Sequence, residues 1–214
     1  AIPAGSQVFV GSVYGILYVA TPTADWRTAG DIVRAIRGAA APMRTAPAIG
    51  PGQIAYLGAD DGLLYAIGPV GPAGFPPQLP VLPPRTDISP WYSFHRDNQR
   101  TGYADRRGPL TSDLRWYHNT GSTLESSPAL GYPDGLARLG VLYAGTADEL
   151  DHRGIPRQRG SLLALDASSG RLRWRFNDGE AMGKIISSPA VFVLEREKPD
   201  GEIIRDERVV VGTV

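Results

Sequence analysis

The densest collection of reactive side chains is the stretch ADELDHRG, 147–154, which sets Asp148, Glu149 and Asp151 beside His152. Carboxylate oxygens next to an imidazole suit calcium or a transition metal in kind. Their spacing matches no metal loop such as the EF-hand, and the basic run PRQRG that follows neutralises the local charge. The favoured expectation is therefore a solvated insertion between two strands, with no metal bound. Asp148, Glu149 and Asp151 stand as the weaker alternative. The turn DDG at 60–62 carries the same two readings, a hairpin first and a calcium ligand second.

The triplet His95-Arg96-Asp97 has the order of a kinase catalytic loop, which needs an asparagine five residues after the aspartate to hold magnesium. Gly102 stands there instead, so His95 is expected to fix its own loop by hydrogen bonds. No Gly-x-Ser-x-Gly elbow marks a hydrolase nucleophile. The three histidines, 95, 118 and 152, lie in loops or strand flanks and suggest no triad. The chain has no cysteine, which excludes disulfides, thiolate nucleophiles, cysteine-ligated zinc and covalently attached haem.

Basic and acidic residues number 22 each, for zero net charge. Phosphate contacts call for a basic excess, so no nucleic-acid partner is expected. No apolar stretch approaches the ~20 residues that cross a bilayer as a helix, so no transmembrane segment is expected. One stretch is ambiguous by itself. In SGRLRWRFNDG, 169–179, Arg171, Arg173 and Arg175 alternate with Leu172, Trp174 and Phe176. This is either a basic stripe for an anion or one strand of a repeated unit.

The elements around these residues favour the repeat. SSPA occurs at 126–129 and 187–190, with TAPA at 45–48. After each comes a glycine-ended apolar run: AYLGA (55–59), LYAGT (142–146) and VVVGT (209–213); a fourth, VFVGS, opens the chain at 8–12. Further strands follow as GILYVA (15–20), GLLYAI (62–67) and GSLLAL (160–165), the last leading through DASSG into RLRWRF. Alternation, β-branched and aromatic residues, and Gly/Asp/Ser clusters predict antiparallel meanders. GDIVRAIR, 30–37, falls on the slot of GRLRWRF and is read as a strand. Such a sheet cannot bury both faces alone, so copies must stack as propeller blades or a solenoid.

SSPAV…VVVGT together with GSLLALDASSGRLRWRF resembles the repeat of pyrroloquinoline-quinone-like β-propellers, the quinoprotein dehydrogenase-like superfamily. WYSFHRDNQRTGYADRRGP, 91–109, is similar to the segment that leads into the first full blade of many bacterial members. The resemblance implies an all-β propeller of four-stranded antiparallel blades. It also implies that Trp116 and Trp174, in outer strands, dock between neighbouring blades. The dehydrogenases of this family sandwich their quinone between a tryptophan and a disulfide of adjacent cysteines, and the chain lacks cysteine. It is more similar to the non-enzymatic subgroup, such as the propeller lipoprotein of outer-membrane protein assembly.

The expected function is accordingly a non-catalytic scaffold for protein–protein interaction in an extracytoplasmic bacterial assembly, periplasmic or extracellular, with no cofactor. The alternative is a quinone-dependent oxidoreductase or a hydrolase at the propeller's axial face. The expected organisation is about two blades in 1–68, a linker or strap with eight prolines in 69–90, and a lead-in segment plus about two blades, the last truncated, in 91–214. So few blades do not close a ring. The expected partners are other protein subunits or the remainder of a longer polypeptide, of which this chain is a fragment. Two Pro-Asp-Gly hairpins, 130–140 and 194–208, offer surfaces for a partner. Their candidate contacts are Tyr132, Pro133 and Asp134 in the first, and Glu195, Arg196, Lys198 and Asp200 in the second.

Overall fold

The computed structural model describes residues 7–21, 31–37, 39–69, 91–96, 101–102, 108–109, 111, 113–132, 140–149, 153, 155, 157, 159–177 and 182–214, with backbone alone at 21, 31–37 and 205. Among these residues there are strands and no helix. The first sheet holds β1 (Val8–Gly11), β2 (Ile16–Thr21) and β3 (Asp31–Arg37). The second holds β4 (Ala48–Gly50), β5 (Ile54–Gly58), β6 (Leu63–Ile67) and β7 (Leu114–Asn119). The third holds β8 (Ala129–Gly131), β9 (Val141–Gly145), β10 (Leu162–Asp166) and β11 (Leu172–Phe176). The fourth has two strands, β12 (Ala190–Glu197) and β13 (Ile203–Val210).

All pairings are antiparallel and each sheet is filled in chain order. β8 lies against both β4 and β12, so the first strands of successive sheets converge and the later strands splay outward. This is a β-propeller arrangement of four-stranded blades that does not close.

The blade strands IAYLG and VLYAG are apolar at every position because a neighbouring sheet covers each face, and every residue of β5 and β9 is buried. Period-2 geometry divides the third sheet cleanly. Leu142, Ala144, Leu163 and Leu165 pack with the first two sheets. Val141, Tyr143, Leu162 and Ala164 pack toward Val191 of the fourth.

Turn chemistry holds the strands in register. Asp61 Oδ1 accepts the Leu63 N–H at 3.0 Å, and Asp166 Oδ1 accepts those of Ser168 and Ser169 at 3.0 and 3.1 Å. Gly62 and Gly170 complete these turns at φ of 78° and 72°, a region open to glycine at little cost. The hydroxyl ahead of each Pro-Ala pair has one recurring task. Thr45 and Ser126 accept the N–H of the glycine that ends the second strand of their sheet, Gly58 at 2.8 Å and Gly145 at 3.2 Å, and Ser187 accepts that of Gly212, two residues past β13, at 2.7 Å.

The proline-rich stretch does not separate two groups of blades. β6 precedes it and β7 follows it, yet the two pair from Leu63↔Asn119 to Ile67↔Leu114. A three-stranded sheet ending at β6 would leave a row of unpaired backbone groups, which β7 closes. The expected boundary therefore falls inside a blade. Residues 70–90 themselves lie outside the described residues.

Candidate functional site

The boundary between the second and third sheets is built on a row of three residues that lie side by side across strands. Tyr56 on β5 pairs with Ala66 on β6, and Ala66 with Trp116 on β7. The small alanine lets the two rings approach, with centroids 5.8 Å apart and planes tilted by 40°. Both then reach into the next blade. The Tyr56 hydroxyl and the Trp116 indole N–H donate to the Ala167 carbonyl at 2.9 and 3.1 Å. Gly170, in the same turn, lies so close to the Trp116 ring that a Cβ there would overlap it. Burial pushes the Tyr56 hydroxyl far above the ordinary tyrosine range, so it remains a donor.

The third sheet repeats the row as Tyr143, Ala164 and Trp174. The rings again stand 5.8 Å apart, tilted by 44°. What covers them differs. The Tyr143 hydroxyl donates to Glu207 Oε1 on β13 at 2.6 Å, in space that Gly131 leaves open. Burial, then the Glu207 bond, raises the Tyr143 pKa. Trp174 is 41% exposed, and its neighbours Leu172 and Phe176 are exposed as well. The expectation of a buried wedge therefore fails at Trp174. Its face of β11 looks toward the fourth sheet, to which the described residues contribute two strands.

The arginines of β11 lie on its opposite face and are engaged. Arg173 pairs with Asp166 at 3.1 Å, and Arg175 donates to the carbonyl of Thr120, just past β7 of the second sheet, at 2.8 Å. The stretch is a structural strand, and its basic side is joined to protein groups. The inner edges of the third and fourth sheets are occupied too. The Trp91 carbonyl accepts the Leu130 N–H of β8 and the Tyr92 carbonyl accepts the Val191 N–H of β12, both at 2.7 Å. Main chain from the lead-in segment thus bridges two blades where their first strands converge.

No protein-family model matches the chain, and no curated protein does. Among solved structures it aligns with Sqt1 from Chaetomium thermophilum at 15% identity, over 94% of this chain and 50% of that one, with a TM-score of 0.36. It aligns with a chain of the Mitotic Checkpoint Complex at 11% identity, over 93% of this chain and 60% of that one, with a TM-score of 0.32. The chain spans less than two thirds of either structure. Likeness this remote carries no argument about activity or partners.

The acidic stretch is used internally where it is described. Asp148 Oδ2 pairs with Lys184 Nζ at 2.9 Å, and the Glu149 carboxylate accepts the Ser161 hydroxyl. Asp151 and His152 lie outside the described residues, among which no group of three potential ligands gathers. His95 holds its loop through its carbonyl, which accepts the Gly102 N–H at 2.8 Å. Asp97 lies outside the described residues.

Of the first hairpin, Pro133 and Asp134 lie outside the described residues, while Tyr132 is 8% exposed. Its ring fills the space beside Gly140, so Tyr132 is packed inside and not offered to a partner. The second hairpin stands out fully formed, paired to Glu197↔Ile203, with Glu195, Arg196 and Asp200 exposed and Lys198 half-buried. Arg196 pairs with Asp206 at 2.5 Å and Lys198 with Glu202, so these charges support the hairpin itself.

Tyr56, Tyr143, Ala167 and Glu207 were not evident as interface residues from sequence. The legible signal was the tyrosine that recurs two residues before the strand-ending glycine in IAYLG and VLYAG.

Proposed function

We propose that this chain is a non-catalytic β-propeller scaffold that binds other proteins. The observation that carries this reading is where its apolar surface lies. Phe192, Leu194 and Val210 lie on the face of the β12–β13 hairpin turned away from the third sheet, and all are exposed. Exposed apolar groups clustered on one face and rimmed by charge mark interaction surfaces. Here the rim is Arg196, Asp206 and Arg208. The inner edge, where an axial reaction would need open groups, is bridged by the main chain of Trp91 and Tyr92.

The resemblance to pyrroloquinoline-quinone-like repeats supports placing the scaffold in the non-enzymatic part of that family and in an extracytoplasmic bacterial assembly. The test is capture of partners by the tagged chain from envelope and cytoplasmic extracts of its source. A stoichiometric partner from the envelope extract, lost on Phe192→Glu with Leu194→Glu, is the expected result. An unchanged partner set with that double variant would overturn the reading. A change in absorbance or a rise in melting temperature on addition of quinone and calcium would return the case to an oxidoreductase.

A further inference from the structure

We propose that the boundary between the second and third sheets is a pH-sensitive latch, in which protonation of His118 on β7 sets two like charges against each other and loosens the contacts of Trp116. The latch is independent of the scaffold reading. Positions 116, 118 and 120, two residues apart along β7 and its end, each meet the third sheet, as period-2 geometry requires. Trp116 donates to the Ala167 carbonyl at 3.1 Å, and the His118 ring donates to the Gly170 carbonyl. The Thr120 carbonyl, just past the strand, accepts Arg175 at 2.8 Å. Of the side chains in these contacts, His118 alone changes charge near neutral pH.

The surroundings of His118 make its positive form costly. The residue is half-buried, and burial is the main cause that lowers its pKa; the Gly170 bond opposes this, and the Arg175 charge adds to it. β6 sets the uncharged Leu64 directly across from His118, and on β7 itself Trp116 and Thr120 are uncharged. The charged groups of the facing turn and strand are Asp166, Arg171, Arg173 and Arg175. Asp166 is taken up by Arg173 at 3.1 Å and by the N–H groups of Ser168 and Ser169, while Arg171 is exposed. Arg175, fixed on the Thr120 carbonyl, is therefore the charge that a protonated ring must meet. The closed boundary holds the His118 proton less tightly than an opened one. The closed form is thus fully favoured above about pH 6.5 and loses part of that advantage as pH falls below it. The turn at 167–170 takes the His118 bond and also holds Trp116, through the Ala167 carbonyl and the close approach of Gly170 to its ring.

The test measures hydrogen exchange of the Trp116 indole N–H in the whole chain by nuclear magnetic resonance, each rate being divided by that of free tryptophan at the same pH. The expected result is protection that falls several-fold between about pH 7.5 and about pH 5.5. In His118→Gln, which keeps an N–H for the Gly170 carbonyl but takes up no proton, protection should stay level. In Arg175→Gln the acid loss should shrink. Circular dichroism checks the fold of both variants. A second reading needs the parent chain alone and decides the matter if a variant does not fold. The His118 ring signal, assigned by its contact with Gly170, should titrate below the ordinary histidine value of about 6.5. Protection that does not change with pH in the parent, or an equal acid loss in His118→Gln, would overturn the proposal. So would a ring that titrates at or above the ordinary value. Asp166 titrates far below this range, at about 2, so its own effect on stability does not enter the comparison.

Discussion

Trp116 donates its indole N–H across the boundary between two sheets to the carbonyl of Ala167, 3.1 Å away. The contact joins the outer strand of one blade to a turn of the next, far from the converging inner strands that also hold the blades together. Replacement of Trp116 by Phe keeps most of the apolar contact and removes the N–H, which should cost about 1 kcal/mol. Replacement by Ala opens a cavity between the sheets and should cost about 3 kcal/mol, near the low end for a large aromatic because the ring is only half-buried. Urea unfolding of the two variants measures both values.

Trp174 supplies the internal control. Its ring has the same tilt to a tyrosine but is 41% exposed, so truncation removes little buried area. Trp174→Ala should lower stability by about 1 kcal/mol or less. A loss at Trp174 equal to that at Trp116 would mean that the outer part of the fourth blade is covered in solution.

The contrast between the two tryptophans shows what the sequence made legible. The repeat placed both on outer strands, and the recurrence of Pro-Ala, glycine-ended runs and Asp/Ser/Gly turns is enough to lay out the strands. It also set GDIVRAIR on the slot that β3 fills. Burial was not legible, because it depends on whether the next blade supplies strands in space. The pairing of β6 with β7 was hidden for a related reason. Loop-closure cost grows only slowly with length, so a long proline-rich insertion within a blade is tolerated. Tyr132 was misjudged because a Pro-Asp-Gly turn marks the tip of a hairpin without saying which flanking ring turns inward.

The hydroxyls before the Pro-Ala pairs should differ in weight according to burial. Ser126 is buried, accepts the Gly145 N–H and donates to the Ser187 carbonyl of the next blade at 2.9 Å. Ser126→Ala leaves a buried N–H without its acceptor and should cost about 1–3 kcal/mol. Ser187 accepts the Gly212 N–H and donates to the Gly212 carbonyl where water competes, and Ser187→Ala should cost about 0.5 kcal/mol or less. Chemical denaturation of the pair gives the comparison.

Asp166 should make the acid limb of stability steeper. Burial alone would raise its pKa, but hydrogen bonds from Ser168, Arg173 and Ser169 outweigh that and bring it to about 2, from 3.8. The folded state therefore holds its proton less tightly than the unfolded chain, so stability rises with pH through this window. The contribution is fully present above about pH 4 and is lost as pH falls toward about 2. The carboxylate is partly exposed and screened by solvent, so it amounts to about 1 kcal/mol. Melting temperatures between these limits should fall less steeply for Asp166→Asn than for the parent chain.

Tyr143 should report on the fourth blade from the alkaline side. Burial is the main cause of its raised pKa, with the Glu207 hydrogen bond and charge adding to it. Here the folded state holds the proton more tightly than the unfolded chain. The stabilisation is present below the usual tyrosine pKa of about 10 and is lost as pH rises through the folded value. Glu207→Gln keeps an acceptor but removes the negative charge, so it should move this one tyrosine's ionisation to lower pH while burial still holds it above the exposed tyrosines. Ultraviolet titration of tyrosinate in the parent, Glu207→Gln and Tyr143→Phe chains isolates the group. If Glu207→Gln leaves the titration unchanged, Glu207 does not meet Tyr143 in solution, and β13 does not rest against the third sheet as described.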